Sequence, residues 1–247
     1  MNTSKTIEAL NSLLIGINPT IIYNEGWMIR LLVIESMIQR LVIKGFDFGK
    51  LKQENWSSEA LIKSPFVNAK TKREGYTHAD IILGDFELDY EKCGEAILKK
   101  ENANILGVIE AKMGSNLSQN TSNAKNYNQA SRSICCLSYI TRDTDCDIFF
   151  IVAAPEKKIK DYNIENQINP ENIKNQIEER FNHYFETNEE NILSQKDSIL
   201  KQVQKCKILV IGYNEWIVEI EKNEPNKIMR EFYNNCLKFN KIPNATF

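Results

Sequence analysis

Glu110 and Lys112 interrupt an apolar run, ILGVIEAKMG from Ile105 to Gly114, whose other side chains are almost all aliphatic. Read as a strand, Leu106, Val108, Glu110 and Lys112 share one face, while Ile105, Ile109, Ala111 and Met113 share the other. Both faces start apolar, as in a central strand covered on both sides, and burying charges there is costly unless they pair or bind an ion. A further acid, Asp80, stands in a similar apolar setting between Ala79 and Ile81. If its segment packs beside the first, Asp80 approaches Glu110, and two neighbouring carboxylates repel unless a cation lies between them. Mg²⁺ suits such a pair because it takes oxygen ligands, keeps several waters and needs few carboxylates beside a substrate phosphate. On this reading Asp80, Glu110 and the carbonyl of Ala111 hold Mg²⁺, with Mn²⁺ able to substitute. Lys112 then orients or activates the attacking water and balances charge in the transition state. The implied chemistry is metal-assisted phosphodiester hydrolysis.

The elements that must position these residues follow from periodicity. Thr3 to Leu14 has helical spacing, and a stronger helix is expected from about Asn24 to Lys44, stopped by Gly45. Its apolar stripe is Trp27, Leu31, Ile34, Ile38 and Leu41, with Glu25, Ser36, Gln39 and Arg40 opposite and Glu35 at the edge. Phe46 to Gly75 is mixed in character, with a short helix expected near Ser58 to Lys63. The stretch HADIILGDFELDY predicts a hairpin with strands at Ala79 to Leu83 and Phe86 to Tyr90, turning at Gly84 and Asp85. A polar loop, Gly114 to Asn126, leads to a helix from about Ala124 to Thr141, followed by a covered strand from Asp147 to Pro155. Helices near Pro170 to Glu186 and Glu190 to Gln204, a strand at Lys207 to Gly212 and a helix from about Pro225 to Phe239 complete the pattern.

At 247 residues, 42% hydrophobic and 26% charged, the chain has the composition of a soluble globular protein, with material for one large α/β domain. It has no long uncharged run, so no membrane partner is expected, and the amino terminus reads as an amphipathic helix, which gives a cytoplasmic protein. The six cysteines form no CxxC pair and only His78 and His183 could complete a zinc site, so the cysteines read as reduced and mostly buried. A net charge of -2 argues against a protein that coats nucleic acid nonspecifically, although Lys70, Lys72 and Arg73 cluster before Asp80. No GxGxxG, GxxxxGK[ST] or GxSxG motif points to another α/β enzyme class.

Asp80, a hairpin and then Glu110-Ala111-Lys112, with a helix before and a helix after, resemble the PD-(D/E)XK nuclease superfamily, which includes restriction endonucleases. The resemblance covers about Asn24 to Pro155, and Ala79 stands where the nominal motif has proline. It implies a restriction-endonuclease-like α/β core with a mixed central sheet of about five strands flanked by helices, and a helical carboxyl-terminal elaboration over 156–247 of the same single domain. It implies that Asp80 and Glu110 bind magnesium and that Lys112 is catalytic. An acid on the first core helix, Glu25 or Glu35, joins the site in many members, and in one branch a Gln on the following helix does so. The stretch YNQASR offers Tyr127, Gln129 and Arg132, of which Gln129 is the counterpart.

Bland readings stand beside these. Glu25 in a first helical turn is favoured by the helix dipole, Glu35 can face water, and Gln129 and Arg132 can be solvated. Arg30 reads as a buried structural ion pair, His78 as a hydrogen-bonded structural residue, and Cys135 and Cys136 as core. The expected partner is nucleic acid, DNA first, with Ser115, Asn116 and Ser118 lining the cleft. The carboxyl-terminal helices serve either a homodimer or substrate reading. Restriction or antiphage defence is an analogy from the fold, and the alternative is a catalytically inactive nuclease fold acting as a nucleic-acid-binding or assembly module.

Overall fold

The computed structural model describes residues 3–118, 120–121, 124–223 and 227–242. Helices α1 (Thr3–Ser12), α2 (Pro19–Ile22) and α3 (Glu25–Gln39) lead to a small ribbon, β1 (Val42–Ile43) and β2 (Phe46–Asp47). Then come β3 (Trp56–Lys63), β4 (Tyr76–Gly84), β5 (Phe86–Asp89), β6 (Glu95–Leu98), β7 (Ile105–Ala111), α4 (Gln129–Ile140) and β8 (Asp147–Ala154). The helices α5 (Glu156–Asp161), α6 (Ile164–Gln167), α7 (Pro170–Glu186), α8 (Glu190–Leu193) and α9 (Lys196–Lys205) precede β9 (Lys207–Gly212), α10 (Tyr213–Asn223) and α11 (Ile228–Phe239).

Seven strands form one mixed sheet in the order β5-β6-β3-β4-β7-β8-β9. β3, β4 and β7 are antiparallel neighbours, and β7, β8 and β9 run parallel. The parallel strands are the continuous apolar runs of the sequence, as a sheet covered on both faces requires. One face carries Leu106, Val108, Phe150 and Val152 under α4, α7 and α9. The other carries Ile81, Ile109, Ile151 and Ile211 under α1, α3, α10 and α11. No helix among the described residues is long and apolar enough to cross a membrane. All six cysteines are free, and Cys93 alone is exposed.

The sheet has seven strands where about five are expected, because two regions depart from the periodicity reading. Ser58 to Lys63, expected as a helix, belongs to β3, which pairs with β4 from Trp56↔Leu83 to Lys63↔Tyr76. The expected hairpin across Gly84 and Asp85 does not form: β4 pairs with β3 and β7, and β5 pairs with β6. The Asp85 carboxylate accepts the amides of Asn104 and Ile105, which ties the turn to the start of β7. Gly84 has φ +119°, and a Cβ there would overlap the Ile105 carbonyl, so the chain passes β7 too closely for any side chain.

Helix α3 ends at Gln39, before Gly45, because Arg40 adopts the left-handed conformation that closes the helix. Ser36, expected on the polar side, is fully buried and accepts a hydrogen bond at 2.6 Å from Trp216 Nε1. Trp216 lies on α10, a helix that periodicity does not reveal, so α3 is covered on the side expected to meet water. The expected helix from Glu190 to Gln204 is broken into α8 and α9, and the one expected from Ala124 begins at Gln129. The expected start of the last helix at Pro225 lies outside the described residues, and α11 begins at Ile228.

Gly107 shows how tightly β7 is held. A Cβ there would overlap the ring of Phe149, a buried residue of β8. Gly107→Ala is expected to destabilise the fold by about 1–3 kcal/mol through overpacking, read as a lower urea midpoint at unchanged slope.

Candidate active site

β4 and β7 pair from Gly84↔Leu106 to Ile81↔Ile109. The next residues along the two strands are Asp80 and Glu110, and there a carboxylate enters the backbone pattern: the Ala111 amide donates to Asp80 Oδ2 at 2.7 Å. The strands also change face at this point. Ala60 and Ala79 belong to the core under α4, whereas Ile81 and Leu83 belong to the core under α3. Strict alternation would keep Ala79 and Ile81 on one face. Glu59, opposite Asp80 between the pairs Ser58↔Ile81 and Ala60↔Ala79, carries the matching distortion as a left-handed φ of 58°. A non-glycine residue held there costs on the order of 1–3 kcal/mol, and a local strand distortion of this kind re-aims a side chain. Arg30 of α3 pairs with Glu59 at 3.6 Å, but the pair is not the buried one expected, since Arg30 is half-buried and Glu59 is exposed.

Glu110 is 1% exposed and Lys112 is 6% exposed, so the charges within the apolar run are buried. Lys112 Nζ and Gln129 Nε2 each donate to Glu110 Oε1 at 2.5 Å. The other oxygen, Oε2, is buried and accepts no hydrogen bond, and the Asp80 carboxylate lies within hydrogen-bonding reach of the Glu110 carboxyl. Burial first and the neighbouring Asp80 second push the Glu110 carboxyl up to about 8, against the pull of Lys112. Burial alone would lower Lys112, but Glu110, Asp80 and Glu25 outweigh it and raise the ammonium above its ordinary value. The lysine therefore stays charged at neutral pH and can serve as a fixed cation, not as a general base.

Glu25 is brought to this centre by a helix start. Asn24 Oδ1 accepts the Trp27 amide at 3.0 Å as the N-cap of α3, which places Glu25 in the first turn. Glu25 Oε2 in turn accepts the amide of Met113 at 2.6 Å, just beyond β7. Glu35 lies about 15 Å further along the same helix. It is buried and accepts a hydrogen bond from Gln39, so of the two acids it is Glu25 that meets the end of β7.

Gln129 arrives from the other face of the sheet. Asn128 caps α4 by accepting the Ser131 amide at 2.8 Å, and the Gln129 amide donates to the Ser118 carbonyl at 3.0 Å. The loop after β7 thus returns to deliver Gln129 to Glu110, with Ser115, Asn116 and Ser118 exposed along it. Arg132 is drawn elsewhere, donating to the Tyr76 carbonyl at 2.7 Å and lying 3.6 Å from Glu74. Tyr127 is buried in the core under α4, as are Cys135 and Cys136, and His78 is exposed. The basic cluster before Asp80 is anchored to α7, where Arg180 and Tyr184 donate to the Lys72 carbonyl.

The chain matches no known protein family, no curated protein and no solved structure. Among the described residues no group of three or more His, Cys, Asp or Glu side chains forms a metal cage. The Asp80 and Glu110 carboxylates are a smaller set, and a cation that keeps most of its waters needs no more than one or two.

Two residues at this centre carry no signal in the sequence. Lys158 of α5 donates to the carbonyls of Gly114 and Ser115 and to Asn116 Oδ1, at 2.8, 2.6 and 3.0 Å, fixing the loop that follows Lys112. In the stretch EKKIKD nothing marks it out from the lysines on either side. Tyr213, the first residue of α10, is fully buried with an unpartnered hydroxyl. Burial raises it far above its ordinary value, and Glu25 and Asp80 raise it further, so it lies within their field.

Proposed function

We propose that this chain is a Mg²⁺-dependent nuclease of the PD-(D/E)XK type, acting on DNA. The observation that carries the reading is Glu110: a carboxylate buried against Asp80, clamped through one oxygen by Lys112 and Gln129, with its second oxygen accepting no hydrogen bond. A buried oxygen that accepts no hydrogen bond is costly, and an oxygen pair of this charge fits a hard divalent cation. The succession of α3, the antiparallel strands β3, β4 and β7, then α4 and the parallel strand β8 supports a restriction-endonuclease-like core.

Asp80 and Glu110, with the Ala111 carbonyl, would hold the ion, which when bound supplies Lewis-acid polarisation of the phosphodiester. The chain's own residues do the rest. Lys112, kept as an ammonium by the surrounding carboxylates, offers positive charge to the phosphoryl oxygens as charge develops on them, and its pairing with Glu110 fixes where that charge sits. Glu25 holds the Met113 amide, and Asp80 holds the Ala111 amide, so the backbone on either side of Lys112 is pinned before substrate arrives. In the reaction a water oxygen bonds to phosphorus and releases a proton to solvent, the bond from phosphorus to the leaving oxygen breaks, and the leaving oxygen takes up a proton from solvent.

Gln129 holds one oxygen of Glu110, and the other accepts no hydrogen bond. Gln129→Leu is expected to weaken divalent-cation affinity about 10- to 100-fold, the usual cost of losing an outer partner of a ligand, as read by calorimetric titration with Mg²⁺.

Incubating the protein with linear duplex, circular duplex and single-stranded DNA, and with RNA, in Mg²⁺ and then in EDTA tests the proposal. Cation-dependent cutting of DNA is the expected result, and cutting of the circle identifies an endonuclease. Cutting that persists in EDTA contradicts the proposed chemistry, and cutting of RNA alone contradicts the proposed substrate.

A further inference from the structure

A basic cleft opens beside the site. A cavity of about 290 Å³ lies between α5 and the end of α11, with Met113, Gly114, Lys157, Tyr162 and Lys241 in its lining. Met113 and Gly114 directly follow Lys112, and the Met113 amide is the one held by Glu25, so the cleft begins where the candidate active site ends. Lys158, also in the lining, directs its ammonium at the loop carbonyls and adds positive charge behind the cleft. Lys157 and Lys241 are exposed, and Asp161 is the acid in the lining. Tyr162 is 46% exposed although it is a large aromatic residue, and its ring centroid lies 5.3 Å from Lys158 Nζ.

An exposed aromatic ring among lysines is the combination that binds an unpaired nucleic-acid strand. The lysines follow the phosphates, and the ring stacks on a base whose face is free, which a base inside a duplex cannot offer. We infer that this cleft holds a single-stranded stretch of the DNA substrate next to the cutting site, with Lys157 and Lys241 on phosphates and Tyr162 stacked on a base. The inference rests on the nuclease reading and adds to it a substrate that is unpaired on one side of the cut.

Fluorescence anisotropy with a labelled 20-nucleotide strand of deoxythymidine, and with a duplex of the same length, tests it in the absence of divalent cations. The wild type is expected to prefer the single strand. Tyr162→Ala is expected to bind that strand about tenfold more weakly and the duplex unchanged. The double variant Lys157→Ala/Lys241→Ala is expected to lower the slope of log affinity against log salt by about 1.4, from two lost phosphate contacts. All three side chains are at the surface, and circular dichroism checks that the fold is kept. A wild type that prefers the duplex or binds neither strand, or variants that bind the single strand as the wild type does, would overturn the inference. The two readings fail separately: metal-dependent cutting with unaltered binding in the variants removes the cleft and leaves the nuclease. Lost binding in the variants, with no cutting of any substrate by the wild type, removes the nuclease and leaves a single-strand-binding cleft.

Discussion

Asp80→Asn is expected to lower Mg²⁺-dependent cleavage by on the order of 10³-fold at saturating metal, with Glu110→Gln at least as damaging. Both changes keep the shape of the side chain and remove its charge. Asp80→Asn is the cleaner of the two, since Asp80 is only half-buried and its amide replacement can still accept the Ala111 amide through oxygen. In the cation-bound protein Glu110 is ionised, so Glu110→Gln also takes away the nearest counter-charge of the buried Lys112 ammonium, and Asp80 and Glu25 are what remain to balance it. A thermal melt alongside the rate measurement separates lost chemistry from lost fold. Rates within about tenfold of wild type in a folded Asp80→Asn protein would show that the paired carboxylates do not form the centre.

A second large effect follows from the raised carboxyl of Glu110. Without metal the folded protein keeps a proton there up to about pH 8, whereas the unfolded chain releases it near its ordinary value of 4.5. Between those values the folded state binds more protons, so the stability contributed by this group is full below the lower value and is lost as pH rises through the upper one. Binding a cation at Glu110 requires the loss of that proton. Apparent Mg²⁺ affinity is therefore expected to rise by about tenfold per pH unit between about pH 5 and pH 7, with close to one proton released per ion, and to level off above about pH 8. Lys112, whose own value is raised, stays charged throughout and does not cancel the effect. Calorimetric titration in two buffers of different ionisation enthalpy measures the proton directly. An affinity independent of pH over this range would place the cation away from Glu110.

The acids and the lysine are visible in the sequence because charge stands out against the apolar background of a covered strand. Glu110 and Lys112 can be found that way, and Asp80 by the same contrast. Glu25 is legible by its place in a first helical turn after Asn24, whereas Gln129 is legible only through the resemblance, because periodicity starts its helix near Ala124 and not after the Asn128 cap. Choosing between Glu25 and Glu35 takes the fold, because both lie on one helix and only packing shows which acid meets β7.

Tyr213 and Lys158 are not legible. An apolar aromatic body hides the unpartnered hydroxyl of the first, and a run of lysines hides the one that turns inward in the second. The sheet departs from the sequence reading where local pattern and long-range pairing disagree. Trp56–Lys63 has too many polar residues to read as a strand, yet it is held by β4 along its length. The turn at Gly84 reads as a hairpin but is tied to the start of β7 by the Asp85 carboxylate. Both differences arise from contacts distant in sequence, which no window of periodicity contains.

The most direct test of the central claim is Lys112→Ala against wild type, comparing Mg²⁺-dependent cleavage with DNA binding on the same substrate. The account predicts binding retained and cleavage lost by on the order of 10²- to 10³-fold, because the fixed ammonium acts on charge that develops only as the phosphodiester breaks. A folded Lys112→Ala protein that cuts as fast as wild type would contradict it. So would a wild type that binds DNA and never cuts it, which would make the buried acid and lysine part of a binding module.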